Sequence, residues 1–175
     1  DFAVRHLEVE SGGVVLNGIM AVPAGEGGAG EICTNGVIEG NTVRMEQGHT
    51  YSIWSQRGDH IQIIGNHIDG GATVDSAHTS QEGIEIYGGN DVLISGNFIT
   101  GIGNSAIQLG GLPAITPDCS VENVVVVGNQ ISNCRIGVFG GLQWGAVGGP
   151  AHLRNVTIEE NSFTGMFEGG LVMRI

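Results

Sequence analysis

Positions 75 to 85 read DSAHTSQEGIE and hold three carboxyl groups, Asp75, Glu82 and Glu85, with an imidazole, His78. Asp75, His78 and Glu82 fall within eight residues. A carboxylic acid and a base held near one another can protonate a leaving group and activate a water, the core of general acid–base hydrolysis. Asp75, His78, Glu82 and Glu85 are therefore the candidate catalytic residues. The spacing of the trio specifies no coordination geometry, so no metal ligands and no cofactor are expected, with a bound calcium left open. Gln81 adds an amide beside them.

What must position these groups is written in the rest of the chain. GVIEGNTV, IQIIGNHI, VLISGNFI and VVVVGNQI each place an apolar run before a Gly-Asn pair, at Asn41, Asn66, Asn97 and Asn129. VTIEENSF loses the glycine and keeps Asn161. The spacings are 25, 31, 32 and 32 residues, a period that signals a solenoid, propeller or array. A second short run follows most of the turns: YSIW, GIEI, AIQL, IGVF and GLVM. Periods of this length are short for a four-stranded propeller blade and, with at least two strands each, fit one coil of a parallel β-helix, stacked on its neighbour at about 4.8 Å. An irregular first coil at VRHLEVESGGVVL brings the count to about six. Ile63, Ile94, Val126 and Ile158 are expected in one inward column, because no coil buries its apolar face alone. The asparagines are expected at the corners, in the left-handed conformation and stacked as an amide ladder.

Strand alternation then assigns faces. Ile53, Ile84, Ile86, Ile107 and Leu109 point inward. Trp54, Glu85, Tyr87 and Gln108 point outward and are expected to share a solvent-facing stripe. Aromatic rings to cover sugar C–H faces, with amides and carboxylates for hydroxyls, make Trp54, Tyr87 and Gln108 candidate substrate-binding residues. Coil three is longer than its neighbours by roughly GGATVDSAHTSQ, and irregular excursions on a solenoid tend to carry binding groups. A second excursion, GGLQWGAVGGP, offers Trp144 as a further contact.

The pattern resembles the right-handed parallel β-helix superfamily of pectate lyases, polygalacturonases, alginate epimerases and phage tailspikes. SQEGIEIYGGNDVLISGNFITGIGNSAIQL, Ser80 to Leu109, is similar to the polygalacturonase-type glycoside hydrolases, which run NTDGIDI, V-x-I-x-N, GDDCIAI. Glu82 stands at the first acid of that pattern; Asn104 and Ser105 stand at its adjacent aspartates, so that pair is replaced. DSAHTSQE carries the Asp, His and Glu of the epimerase Asp-Pro-His-Glu motif at a different spacing. The resemblance implies an all-β, right-handed parallel β-helix that binds polysaccharide and degrades it, by hydrolysis in preference to lyase or epimerase chemistry. The alternative it implies is a trimeric tailspike, tail-fibre or adhesin segment without catalysis. Either reading implies an extracellular or virion-surface protein, monomeric as an enzyme and homotrimeric as a tailspike.

Bulk composition agrees with one ordered domain over 1–175: hydrophobic content is 41% and charged content 14%, with 32 glycines for tight turns. Net charge is −12 and all six basic residues are arginine, so no basic stripe exists for nucleic acid. The missing lysine also removes the lysine base of a lyase. No apolar run is long enough for membrane insertion. Cys33, Cys119 and Cys134 are odd in number without a CxxC, and read as small buried side chains. The chain opens at Asp1 and closes on the strand-like LVMRI, so a piece of a longer chain is expected. Leu93 and Val125 form an outward apolar stripe, a subunit contact under the trimeric reading.

Overall fold

A run of β-branched residues that stops at Gly-Asn favours a strand that turns at that pair. In the computed structural model, which describes residues 1–11, 17–22, 32–45, 51–71, 81–110, 120–141 and 152–173, every such run is a strand and every pairing between strands is parallel. The first coil holds β1 (Phe2–Arg5), β2 (Glu8–Ser11) and β3 (Asn17–Ala21). Next come β4 (Cys33–Glu39), β5 (Thr42–Met45) and the long β6 (Tyr51–Ile64). β6 bends at Arg57 and so closes one coil and opens the next, which continues through β7 (His67–Asp69) into β8 (Glu82–Ser95), likewise bent, at Gly88. β9 (Phe98–Thr100) and β10 (Ser105–Leu109) complete that level. β11 (Val121–Val127), β12 (Gln130–Ser132) and β13 (Ile136–Gly140) follow, then β14 (Leu153–Glu159), β15 (Ser162–Thr164) and β16 (Gly169–Met173). The short strands form a 6-stranded sheet ordered β15-β12-β9-β7-β5-β2. Because β6 and β8 run through their bends, the other two faces form one 10-stranded sheet.

The core is built from columns. Ile38, Ile63, Ile94, Val126 and Ile158 stand in register, the first four buried and Ile158 partly so. A second column runs Ile19, Ile53, Ile84, Ile107 and Val138 and ends on the exposed Leu171, and a third runs Val9, Val43, Ile68, Ile99, Ile131 and Phe163. Burying each such side chain contributes about 1.5–3 kcal/mol, with the neighbouring coil supplying much of the cover. The Leu93–Val125 stripe is half-buried, and in its row Gln62 and Thr157 flank it with polar side chains. Among the described residues no helix is long and apolar enough to cross a membrane.

The corner differs from expectation in one respect. The positive φ angle belongs to the glycine, not the asparagine: Gly40, Gly65, Gly96 and Gly128 have φ of 61–65°, and Glu160 takes 55° where the glycine is lost. The reason is that the asparagine has another task. Asn97 Oδ1 accepts from both the backbone N–H and the side-chain amide of Asn66, each at 2.9 Å. Its own Nδ2 donates to Asn129 Oδ1 and to the carbonyl of Ile63, again at 2.9 Å. The same set runs from Asn41 to Asn161, with the Leu7 N–H donating to Asn41 Oδ1 at one end. A second polar series marks the bend before the first-face strands, where Asn90 donates to Asp59, Asn123 to Asn90 and Asn155 to Asn123. Asn155, the first residue of an NVT triplet, is thereby committed to the stack.

Two substitutions separate these contributions. Asn97→Ala should cost about 2–5 kcal/mol in urea unfolding, because it orphans buried donors on Asn66 and the Asn129 acceptor together. Gly96→Ala has open space for its Cβ and meets only the conformational penalty of about 1–2 kcal/mol. Ile94→Asp should abolish cooperative folding, since it buries an unpaired charge mid-column.

Candidate functional site

Glu82 and Glu85 are both buried on the first half of β8, outside the hydrophobic core. At Gly83 a Cβ would lie 2.4 Å from the Ala106 carbonyl oxygen, so glycine lets β8 press against the next coil there. The consequence is that Ile84 and Ile86 join the core while Glu82, Glu85 and Tyr87 stand outside it. In β6, Tyr51 and Trp54 stand in register with Glu82 and Glu85 respectively. Gln108 of β10 continues the second row, and Gln56 is in register with Tyr87.

The row is as the alternation predicts; its environment is not. Glu82, Glu85 and Tyr87 are each 0% exposed and Gln108 is 1% exposed, where a solvent-facing stripe was expected. Trp54 and Tyr51 are half-buried. Part of the cover comes from the rings themselves. Tyr51 stacks on Trp54 at 5.4 Å, Tyr87 meets Trp54 edge-on at 5.7 Å, and Tyr51 and Tyr87 are perpendicular at 6.4 Å. Such ring pairs add about 0.5–1.5 kcal/mol beyond their area.

Each glutamate is held from the coil above. Asn104 Nδ2 donates to Glu82 Oε1 at 2.8 Å and Gln108 Nε2 donates to Glu85 Oε1 at 3.0 Å. Asn104, at the position of a lost aspartate, thus serves the retained acid. Gln81 is buried and pins the turn: its Nε2 donates to the Gly70 carbonyl at 2.7 Å and its Oε1 accepts from the Gly103 N–H at 3.3 Å. Beside Asn104 and Gln108 lies a cavity of about 30 Å³ that also touches Arg135, Phe139 and Glu168. Arg135 is engaged by Glu168 at 2.6–2.7 Å, while Arg154 lies 3.5 Å from Glu122; neither meets Glu159 or Glu160.

The electrostatics follow from burial. Desolvation, then the neighbouring Glu82 charge, push the Glu85 carboxyl well above its ordinary 4.5; the nearby Tyr87 hydroxyl offsets part of the rise. Glu85 Oε2, Tyr87 Oη and Trp54 Nε1 are buried without a partner of hydrogen-bonding geometry. The Tyr51 hydroxyl is pushed up to about 12 by burial and by the charges of Glu85 and Glu82. Tyr87 is raised further, by burial first and Glu85 second. Burial and a neighbouring carboxyl shift an acid toward its protonated form, the direction a general acid needs.

Of the other sequence candidates, Asp75, His78 and Trp144 lie outside the described residues, as does Cys119. Cys134 is buried, its thiol pushed up to about 11 mainly by desolvation, and Cys33 is half-buried with its thiol raised for the same reason. Sequence reading missed Tyr51, because alternation along a strand sets a residue three before Trp54 on the opposite face. It also missed a cluster at the bends of β6 and β8. There His60 Nδ1 is 3.1 Å from Asp59 Oδ1 and its Nε2 is 3.3 Å from Asp91 Oδ2. The donor atoms of the three lie within 4.8 Å of one another. The imidazole bridges successive coils at the rim of a groove of about 320 Å³ lined by Arg57, Asp59, Asn90, Ser120 and Glu122.

The raised Glu85 acid has a measurable linkage. The folded state holds its proton above pH 4.5 while the unfolded state releases it, so stability falls as pH rises from there toward the folded value. Glu85→Gln keeps the Gln108 contact and removes the titration. It should flatten that decline and raise the melting temperature at neutral pH, with little effect near pH 4, as read by thermal melts across pH.

Residues 15–174 match the family model for a right handed beta helix region. No curated protein and no solved structure is significantly similar to the chain. The matched span takes in nearly all of the stacked strands, including both glutamates and the amides that hold them, and the chain belongs to the right-handed β-helix family.

Proposed function

We propose that this domain binds polysaccharide and hydrolyses its glycosidic bonds with Glu82 and Glu85. The observation that carries the reading is the pair itself: two carboxyl groups in one buried, ring-lined site, one of them held well above its ordinary range by burial and by the charge of the other. Glycoside hydrolysis uses such a division, an acid that protonates the leaving oxygen and a carboxylate that acts as base or nucleophile. Glu85 is assigned the acid and Glu82 the carboxylate, with Asn104 fixing the orientation of the latter. Tyr51, Trp54 and Tyr87 supply apolar ring surface, and Gln108 holds the acid. Asp75 and His78 are retained as supporting groups from the excursion that leads into β8, and Trp144 as a further sugar contact. The site faces the extracellular medium or a virion surface in this reading.

The test is incubation of the purified protein with neutral, acidic and basic polysaccharides, scoring released reducing ends and unsaturated products separately. Reducing ends without unsaturation are expected. Glu82→Gln should abolish their release, and Glu85→Gln should reduce it at least about 100-fold, the usual size of a lost acid–base group; circular dichroism should stay unchanged in both. The wild-type rate should decline as pH rises through the raised Glu85 value. Full activity in Glu82→Gln removes the catalytic assignment. Glycan binding by a stable trimer without cleavage replaces it with the tailspike or adhesin reading.

A further inference from the structure

Near the bends of β6 and β8, apart from the glutamate pair, one position repeats from coil to coil. Asn35, His60, Asp91, Asn123 and Asn155 all take a left-handed backbone, with φ of 51–57°. Each lies between two residues paired with the neighbouring coil, so the five form one column. Asparagine tolerates that conformation, and three of the five are Asn. At the far end the column is closed by amides, Asn155 Nδ2 donating to Asn123 Oδ1 at 2.9 Å. At two consecutive coils an imidazole and a carboxylate replace the amides. His60 Nε2 is 3.3 Å from Asp91 Oδ2, and its Nδ1 is 3.1 Å from Asp59 Oδ1. Asp59 Oδ1 is itself fixed by the Asn90 amide at 3.0 Å.

A neutral imidazole carries one N–H and one lone pair. Whichever nitrogen of His60 holds the proton, the other turns a lone pair on a carboxylate oxygen. A positive charge between the two removes that conflict. A second proton would supply it, but charge-assisted N–H···O bonds measure about 2.7–2.9 Å. Both His60 contacts are longer. Two ligands each about 2.0–2.1 Å from one tetrahedral ion stand about 3.3–3.4 Å apart. The separation of Nε2 and Oδ2 is that bite.

We propose that His60 Nε2 and Asp91 Oδ2 bind a divalent ion of the zinc class, which ties two successive coils together, with Asp59 as the positioning residue behind the imidazole. Asp59 Oδ1 takes the Nδ1 proton, the arrangement that orients most metal-bound imidazoles. Imidazole suits zinc and its neighbours, whereas calcium takes oxygen ligands at longer distances. The His60 and Asp91 side chains are both exposed, so the ion enters from solvent and keeps water at its other positions.

Calorimetric titration of the untagged, chelator-stripped protein with zinc tests this, at about pH 7.5, above the ordinary imidazole range. Calcium is the comparison ion. One zinc should bind per chain, calcium should not displace it, and zinc should raise the melting temperature. His60→Asn restores the amide of the column and keeps a residue that accepts its backbone; it should abolish zinc binding, as should Asp91→Asn, with circular dichroism unchanged. Asp59→Asn should weaken binding about 10–100-fold, the usual size of a lost orienting group. His67→Gln, which removes an exposed imidazole on the other sheet, should change nothing. Absence of zinc uptake overturns the proposal, and so does full uptake by the His60→Asn variant. Equal losses in His60→Asn and His67→Gln overturn it as uptake by scattered surface imidazoles. Calcium binding at Asp59 and Asp91 that survives His60→Asn overturns the zinc assignment in favour of an oxygen-ligand site.

Discussion

One asparagine per coil, bonded to the coil before and the coil after, is the constraint from which the remaining structure follows. At Asn66, Asn97 and Asn129 the Oδ1 takes two donors from below and the Nδ2 reaches one side chain above and one carbonyl below. In a buried setting an unmade bond of this kind costs about 1–3 kcal/mol, so register between coils is set at this column before any loop is considered. Fixed register then aligns the isoleucine and valine columns, and those columns decide which residues of β6, β8 and β10 point away from the core. Tyr51, Trp54, Glu82, Glu85 and Gln108 owe their adjacency to a corner on another face of the solenoid.

The outer-face site is a product of stacking in a stricter sense. No single coil contains it. Glu82 and Glu85 come from one level, their amide partners from the next, and two of the three rings from the level before. Burial of a carboxyl pair is costly unless other interactions hold it in place. Here two amide hydrogen bonds reduce the cost, and the rest shows as a Glu85 carboxyl held well above its ordinary range. That is the usual physical signature of a site arranged for proton transfer or for a ligand charge.

How much of this was legible in the chain follows from what each signal measures. The Gly-Asn spacing measures coil length, so the stacking of Ile63 on Ile94 and Val126 could be read directly. Alternation measures which side of a strand a residue leaves, so the row Trp54–Glu85–Gln108 was found. It carries no information about what lies over that side, and the row proved buried. The corner was misassigned because both Gly and Asn tolerate positive φ; only the bonding of Asn97 and its neighbours shows that the glycine turns the chain while the asparagine ties the coils. The His60 cluster was missed for a related reason. Asp59-His60 and Asn90-Asp91 sit at matching places before Ile61 and Val92, and that match becomes visible only once the register is known.

The ladder makes the coil the natural unit of length change. Asn66, Asn97 and Asn129 present the same donors and acceptors to their neighbours, so a chain lacking residues 97–128 would bring Asn129 to where Asn97 had been and could remake the same bonds to Asn66. Core columns would close in the same way, Ile158 over Ile94 and Ile131 over Ile68. What such a shortened solenoid would lose is Asn104 and Gln108, and with them both hydrogen bonds that steady the glutamates. Architecture and chemistry therefore tolerate different edits: whole coils can be gained or lost without offending the fold, while the site survives only edits that leave its three consecutive levels intact.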